Sequence, residues 1–323
     1  MGSLFVGVDG GGTHTRAVVG RAGGVVLGRG EAGASNPSAL GFEAAVAAIG
    51  AAIDAALAEA GIEGLRPHPG PLPEGEGDWV EAVAMGVAGA GRPADRARLA
   101  AMVAARPGMP ADVRVLQDVA ILLPAAGLAS GVALVAGTGS SAFGVAPDGR
   151  TTTAGGWGYL LGDEGSAFAL GRAALRAVGH AADGHGAPTA LTDLVVRHLG
   201  LTHPRNLITA VYQASSPRMA VADLAPLVAQ AAADGDETAR AILAANGADL
   251  ARDAVAVART LNLPPGSPVV GVGGVLSSGE PYLAALRAGL AAGGLGDFQV
   301  LEAEPALGAL RLATGEVPMP GVD

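Results

Sequence analysis

Leu4-Phe-Val-Gly-Val-Asp9-Gly-Gly-Gly-Thr13-His-Thr15-Arg-Ala-Val-Val19 is the stretch from which the rest of the chain is best read. A short apolar run rich in β-forming residues leads into Asp9. Three glycines and a Thr follow, and then a second alternating run begins. The pattern predicts two strands joined by a tight turn. Glycines without Cβ let the backbone approach a ligand closely and aim N–H groups at it. Gly11, Gly12 and Thr13, with the Thr15 hydroxyl, therefore suit a phosphate-holding hairpin; an ordinary Gly-rich hairpin turn is the plain alternative. Asp9 suits a hydrated Mg²⁺, an ion that keeps several waters and takes few carboxylates. A Rossmann fingerprint is excluded, because it needs a helix after the glycines and Thr15 to Val19 continues as strand. A P-loop is excluded because it needs a Lys, and every basic residue of this chain is Arg.

The chain has 323 residues, enough for two ordinary domains. Half of them are hydrophobic and 15% are charged, so a sizeable core is available. Aromatics make up only 3%, so Ala, Val and Leu must fill it. A net charge of −10 argues against a nucleic-acid surface but is no obstacle to local nucleotide binding. With no Cys, disulfides, Cys-ligated zinc and iron–sulfur clusters are out of reach. No charged segment with a long apolar core precedes the first strand, and no apolar run is long enough to span a bilayer. The expectation is a cytoplasmic protein.

A third strand is expected over Val25 to Gly30, followed by the loop Glu31-Ala-Gly-Ala-Ser35-Asn36-Pro37-Ser38. Asn36 before Pro either starts a turn or offers its amide to a ligand hydroxyl. A helix is expected over Phe42 to Ala60. Arg66 to Gly77 holds four Pro and three Gly within twelve residues and is expected to be a solvated, mobile, dispensable loop. Strands over Glu81 to Val87 and Val113 to Leu116 flank a helix over Pro93 to Ala105. Asp118 stands where the second of these strands gives way to a helix, a common place for site residues in α/β folds and equally a place for a helix cap.

The opening design then returns. Val132-Ala-Leu-Val135-Ala-Gly137-Thr-Gly-Ser140-Ser-Ala-Phe-Gly-Val145 is again strand, Gly/Thr turn and strand, and Thr138 lies 125 residues after Thr13. The repeat implies an internal duplication with a phosphate-facing turn in each half. Next comes Gly155-Gly-Trp-Gly158-Tyr-Leu-Leu-Gly162-Asp163-Glu164-Gly-Ser166. Its glycines leave it open for ligand recognition. The alternatives are core packing for Trp157 and a favourable first-turn charge for Asp163 and Glu164. Mostly helical sequence runs from Pro188 to Leu263, strongest over Asp236 to Leu261. Val269-Val-Gly-Val-Gly-Gly274-Val-Leu-Ser-Ser278 is strand, Gly-Gly and helix start, open to a flat ligand such as adenine. A short strand over Gln299 to Leu301 and a helix over Pro305 to Ala313 close the chain. The six His residues show no metal-ligand spacing.

Asp9-Gly-Gly-Gly-Thr13, Asp118, Gly137-Thr-Gly-Ser140, Gly155-Gly-Trp-Gly158 with Gly162-Asp-Glu-Gly-Ser166, and Gly273-Gly274 occur in order along the whole chain. The set resembles the BadF-type ATPases of the sugar kinase/Hsp70/actin superfamily, and among these the N-acetylglucosamine and glucosamine kinases. The resemblance implies an α/β fold of two ribonuclease-H-like domains, each a mixed sheet flanked by helices, with ATP in an interdomain cleft. The domains are expected at 1–117 and 118–304, with the last helix, about 305–323, able to pack back on the first. Gly11, Gly12, Thr13, Thr15, Gly137, Thr138 and Gly139 would contact the nucleotide, with Gly273, Gly274 and Ser278 near adenosine. Asn36, Asp118, Gly156, Trp157, Gly158 and Asp163 would contact the sugar. Asp118 would be the base, and Asp9 would hold Mg²⁺ through water. Three departures stand out: His14 replaces a basic residue, Gln117 replaces Asn, and Ser141 stands where the animal N-acetylglucosamine kinases have Asn.

The implied function is ATP-dependent phosphorylation of the 6-hydroxyl of an amino sugar, N-acetylglucosamine first and glucosamine second. The implied enzyme is a homodimer using ATP and Mg²⁺, with no nucleic-acid or membrane partner. A BadF-type ATPase coupled to a redox partner is the competing class, and it needs the cysteines this chain lacks. A non-catalytic sugar-binding sensor is a third, against which Asp9, Asp118 and both turns count.

Overall fold

The computed structural model of the chain describes residues 2–62, 65 and 78–321. Arg66 to Gly77 lies outside them. Contacts divide the chain into two units. The first is Met1–Ser130 with Pro147–Thr151 and Leu301–Asp323, and the second is Gly131–Ala146 with Thr152–Val300. The observed division at 130/131 and the expected one at 117/118 differ by the segment from Asp118 onward. That segment packs beneath the last helix, Pro305–Thr314, where Arg311 donates to the carbonyls of Pro124 and Ala125 at 3.0 and 2.7 Å.

The first unit is built on β1 (Ser3–Gly10), β2 (His14–Arg21), β3 (Val25–Gly33), β4 (Trp79–Val87) and β5 (Val113–Gln117), in the order β3-β2-β1-β4-β5. β1 pairs antiparallel with β2 and parallel with β4, and β4 pairs parallel with β5. One face of β1 buries Leu4, Val6 and Val8 against Ile49, Ala52 and Ile53 of the helix Phe42–Glu59. The other face is covered by Ala306 and Leu310 of the last helix, packed with Val18 and Phe5. A sheet covered on both faces explains the near-continuous apolar run of β4, whose parallel neighbours leave it no wet side.

The second unit repeats the plan. Its strands are β6 (Gly131–Ala136), β7 (Ser140–Val145), β8 (Thr151–Gly155), β9 (Val269–Val272) and β10 (Phe298–Val300), in the order β10-β9-β6-β7-β8. β6 pairs antiparallel with β7 and parallel with β9, and β9 pairs parallel with β10. Read from β8, the strand order matches that of the first sheet read from β3, and the directions of β7, β6, β9 and β10 match those of β2, β1, β4 and β5, as the duplicated motif implies. The helix Glu237–Leu261 runs behind this sheet and packs on the helix Glu280–Ala292. The core is Leu, Val and Ala, as the composition requires, with Leu134, Leu170, Leu243, Leu250 and Leu286 fully buried. Tyr282 is the largest fully buried side chain among the described residues, and its hydroxyl donates to the carbonyl of Gly165 at 2.7 Å. That bond ties the loop ahead of the helix Ala167–Ala182 to the core, a placement that matters for the site.

Candidate active site

In the first unit the parallel strands β1, β4 and β5 all point their carboxyl ends the same way, where ligands bind in open α/β sheets. Asp9 is the penultimate residue of β1, level with Gly86 of β4. Asp118 follows the last residue of β5 and opens the 3₁₀ turn Asp118–Ile121. With β4 between them, the strands that carry the two residues lie roughly 10 Å apart across the sheet. Burial and the charge of Asp118 push the Asp9 carboxyl up to about 6, against the opposing pull of Arg16. Burial also raises the Asp118 carboxyl, although the Val119 N–H donates to its Oδ1 at 3.0 Å. The Asp118 backbone N–H is the other donor that pulls this carboxyl the opposite way. Perturbed carboxyls at a sheet's carboxyl edge mark a functional site more often than a structural one.

The turn after Asp9 is closed by the Gly11 N–H donating to the His14 carbonyl at 2.9 Å. The backbone N–H groups of Gly12 and Thr13 make no hydrogen bond to the described residues, and both residues are exposed. Thr15 faces the other way. It is fully buried, and its hydroxyl donates to the Gly33 carbonyl at 2.7 Å, serving the β2–β3 pair. Asn36 caps the short helix Pro37–Leu40, its Oδ1 accepting from the N–H groups of Ser38 and Ala39 at 2.9 and 3.3 Å. The Ser38 hydroxyl donates to the Gly89 carbonyl at 2.9 Å, docking the Asn36 loop beside the end of β4. Thus Asp9, Gly11, Gly12, Thr13, Asn36 and Asp118 share one edge of the first sheet, and Thr15 stays behind it.

In the second unit the repeated turn is held more tightly. The carbonyls of Gly137 and Thr138 accept from the N–H groups of Ala167 and Phe168 at 2.9 and 3.3 Å, at the start of the helix Ala167–Ala182. The Ser140 hydroxyl donates to the Glu164 carbonyl at 2.7 Å. The N–H groups of Thr138 and Gly139 meet no acceptor among the described residues. Beside the turn lies a cavity of about 550 Å³ lined by Gly137, Thr138, Ala222, Asp223, Gly274 and Ser278, among others. The size and mixed apolar and polar lining suit an adenosine-sized ligand. Gly273 stands at φ 117°, and a Cβ there would lie 2.2 Å from the Ala136 carbonyl, so only glycine lets β9 turn into this wall.

Ahead of that helix, Gly155, Gly156 and Gly158 all have positive φ. Trp157 is 73% exposed, which removes the core-packing alternative for it. Asp163 and Glu164 precede the helix, whose cap is Ser166, so neither is a first-turn charge. Asp163 is buried at φ 61°. Its Oδ1 accepts from the Ser140 N–H at 3.4 Å and its Oδ2 meets Arg218 Nη2 at 3.4 Å. On the far side of the Gly155–Gly156 segment, burial and the charge of Glu164 raise the carboxyl of Asp253. Arg218, Asp223 and Asp253 carry no sequence signature. Arg218 and Asp253 sit on helices of the long helical region and Asp223 caps the end of the first of them, and all three reach the site only through the fold.

The sequence model of the BadF/BadG/BcrA/BcrD ATPase family matches residues 6–313. The chain belongs to the BadF/BadG/BcrA/BcrD ATPase family. An N-acetyl-D-glucosamine kinase of Dictyostelium discoideum is 30% identical over 245 residues, 74% of each chain. An N-acetylmuramic acid/N-acetylglucosamine kinase of Clostridium acetobutylicum is 30% identical over 184 residues, 56% of this chain and 60% of that one. The crystal structure of a candidate N-acetylglucosamine kinase from Chromobacterium violaceum is 30% identical, covers 96% of this chain and 98% of its own, and superimposes with a TM-score of 0.72. A ROK family glucokinase from Streptomyces griseus, solved with glucose and AMPPNP, shares the fold at 20% identity and a TM-score of 0.54. For this BadF-family chain the structural likeness extends over nearly its whole length, both α/β units included.

Proposed function

We propose that this chain is an ATP-dependent kinase that phosphorylates the 6-hydroxyl of an amino sugar, N-acetylglucosamine ahead of glucosamine. The observation that carries the reading is the Asp9–Asp118 pair at the edge of the first sheet, beside a glycine turn with unpaired N–H groups. Kinship with sugar kinases at 30% identity supplies the substrate class. Phosphoryl transfer asks of a protein chiefly position and charge neutralisation, and these groups offer both.

Asp118 takes the proton of the attacking hydroxyl on its carboxylate. A carboxyl raised by burial is a stronger base than one in water, which favours that transfer. In the first unit Asn36 would contact the sugar, and the Gly12 and Thr13 N–H groups phosphate oxygens. In the second unit Gly156–Gly158 would contact the sugar, and the Thr138 and Gly139 N–H groups phosphate oxygens. The cavity beside Gly274 and Ser278 takes adenosine. The residues fit Mg²⁺ as well: the Asp9 carboxylate makes no hydrogen bond among the described residues and carries a burial penalty that a cation offsets. Asp9 would hold the ion through water, and the ion would supply charge neutralisation between the β- and γ-phosphates. An enzyme of this kind works where ATP is abundant, which places it in the cytoplasm.

The test is kcat/KM for N-acetylglucosamine, glucosamine, N-acetylmuramic acid and glucose at fixed Mg·ATP. The expected order begins with N-acetylglucosamine, because a site built for a polar substituent discriminates by about 1–3 kcal/mol against its absence. Preference for glucose, or no phosphorylation of any of them, removes the amino-sugar reading. Preference for glucosamine keeps the kinase and reverses the order.

A further inference from the structure

The second glycine turn lacks the lysine that a P-loop brings to its phosphates, and the chain has none to offer. An arginine stands in its place. Arg218, on the helix Pro217–Ala222, lays Nη2 3.0 Å from where a Cβ on Gly139 would be. Asp163 Oδ2 lies 2.8 Å from the same point. The absence of a side chain at Gly139 is what lets a guanidinium reach this turn.

The way Arg218 is held shows that the placement is unfinished. A guanidinium carries five N–H donors. One meets Asp163 at 3.4 Å, the outer limit of a hydrogen bond, and Nε is buried with no partner at all. The guanidinium also lies over the Tyr159 ring, 5.6 Å from its centre. Nε, being buried, is out of a ligand's reach, so an anion would meet the guanidinium at its Nη atoms. Yet the side chain as a whole is 41% exposed, so a ligand can reach it. The groups facing it are Asp163, the Tyr159 ring and the turn whose Thr138 and Gly139 N–H groups are unpaired. Those N–H groups and a guanidinium beside the same turn are the kinds of donor a phosphate oxyanion takes.

We propose that Arg218 binds the polyphosphate of the nucleotide at the Gly137–Ser140 turn, with Asp163 as the carboxylate that positions it before the nucleotide arrives. This rests on the kinase reading above and adds to it a cation that none of the sequence motifs contains. Arg218 is thereby a nucleotide-contacting residue, whereas Asp163 acts on the phosphate only through Arg218. Both belong to the second unit.

The experiment is calorimetric binding of adenosine, AMP, ADP and ATP to the full chain and to Arg218→Gln and Arg218→Lys. In Arg218→Gln, ADP and ATP should bind about tenfold to a hundredfold more weakly, the worth of a charge-assisted contact, while adenosine binds as in the wild type. Arg218→Lys should recover part of the loss, since the charge returns without the planar fork. A purely structural role for Arg218 would weaken adenosine and ADP alike, and that result overturns the proposal, as does unchanged ADP affinity. If Arg218→Gln does not fold, Arg218→Lys decides by the same comparison of ADP with adenosine. Should the wild type bind no ATP, the kinase reading itself falls, and the two failures are told apart by that control.

Discussion

Replacing Asp9 by Asn should make the protein more stable while abolishing its activity. In the folded state the Asp9 carboxyl is raised from 3.8 to about 6, mainly by burial and then by the charge of Asp118. The folded protein therefore holds this proton more tightly than the unfolded chain does. Stability is highest below about pH 4, falls as pH rises through the window from 3.8 to about 6, and stays at its lower plateau above it. A shift of about two units corresponds to about 3 kcal/mol of destabilisation at pH 7.5, and only about 0.6 kcal/mol remains at pH 4. Asn has nearly the same shape and never ionises, so Asp9→Asn should recover that 3 kcal/mol at pH 7.5 and almost nothing at pH 4. For a unit of this size the gain corresponds to roughly 6–12 °C in Tm. Urea denaturation of both proteins at pH 4 and pH 7.5, in EDTA, reads the difference directly. Adding Mg·ATP at pH 7.5 should narrow the gap, because only the wild type has the carboxylate that suits the cation. A gain below about 1 kcal/mol at pH 7.5, or an equal gain at both pH values, would refute the claim that an ionised Asp9 is held there at a cost to the fold.

Asp118→Asn should lower kcat by about 10²- to 10⁴-fold, with KM for ATP and sugar nearly unchanged. Wild-type turnover in the folded variant would leave Asp118 with only its local bond to Val119. Thr15→Val removes the buried bond to the Gly33 carbonyl and should cost about 1–3 kcal/mol in urea denaturation. KM for ATP should move less than twofold, and a tenfold rise would return Thr15 to the nucleotide site.

The architecture was legible because its decisive signals are local. A strand, a glycine turn and a second strand each follow from side-chain period and backbone freedom within some sixteen residues, and the same pattern recurs at Gly137 to Ser140. Asp9 and Asp118 could be singled out for the same reason, since each ends a strand that its own neighbours define. β8 carries Thr-Thr-Thr without apolar alternation, and only its pairing in the second sheet marks it as a strand. Thr15 shows the limit of reading a motif as a list. Thr15 lies inside β2, where its buried hydroxyl meets the Gly33 carbonyl, whereas Thr13 comes before the strand, exposed in the turn.

What only the tertiary structure decided is which charges meet. Arg218 lies 55 residues from Asp163 and on a different element, and nothing in Ser216-Pro217-Arg218 distinguishes it from a surface arginine. The packing of its helix beside the Gly137 turn gives it an acidic partner, a ring and an unmet donor. The raised carboxyl of Asp9 has the same origin. Its identity is written in the chain, but its pKa depends on how deeply the sheet edge is buried and on Asp118 arriving two strands away. Sequence determines which groups exist and which local conformation each prefers, because those depend on neighbours along the chain. Burial and the distance between charges depend on neighbours in space, and these emerge only when the sheets close over their cores.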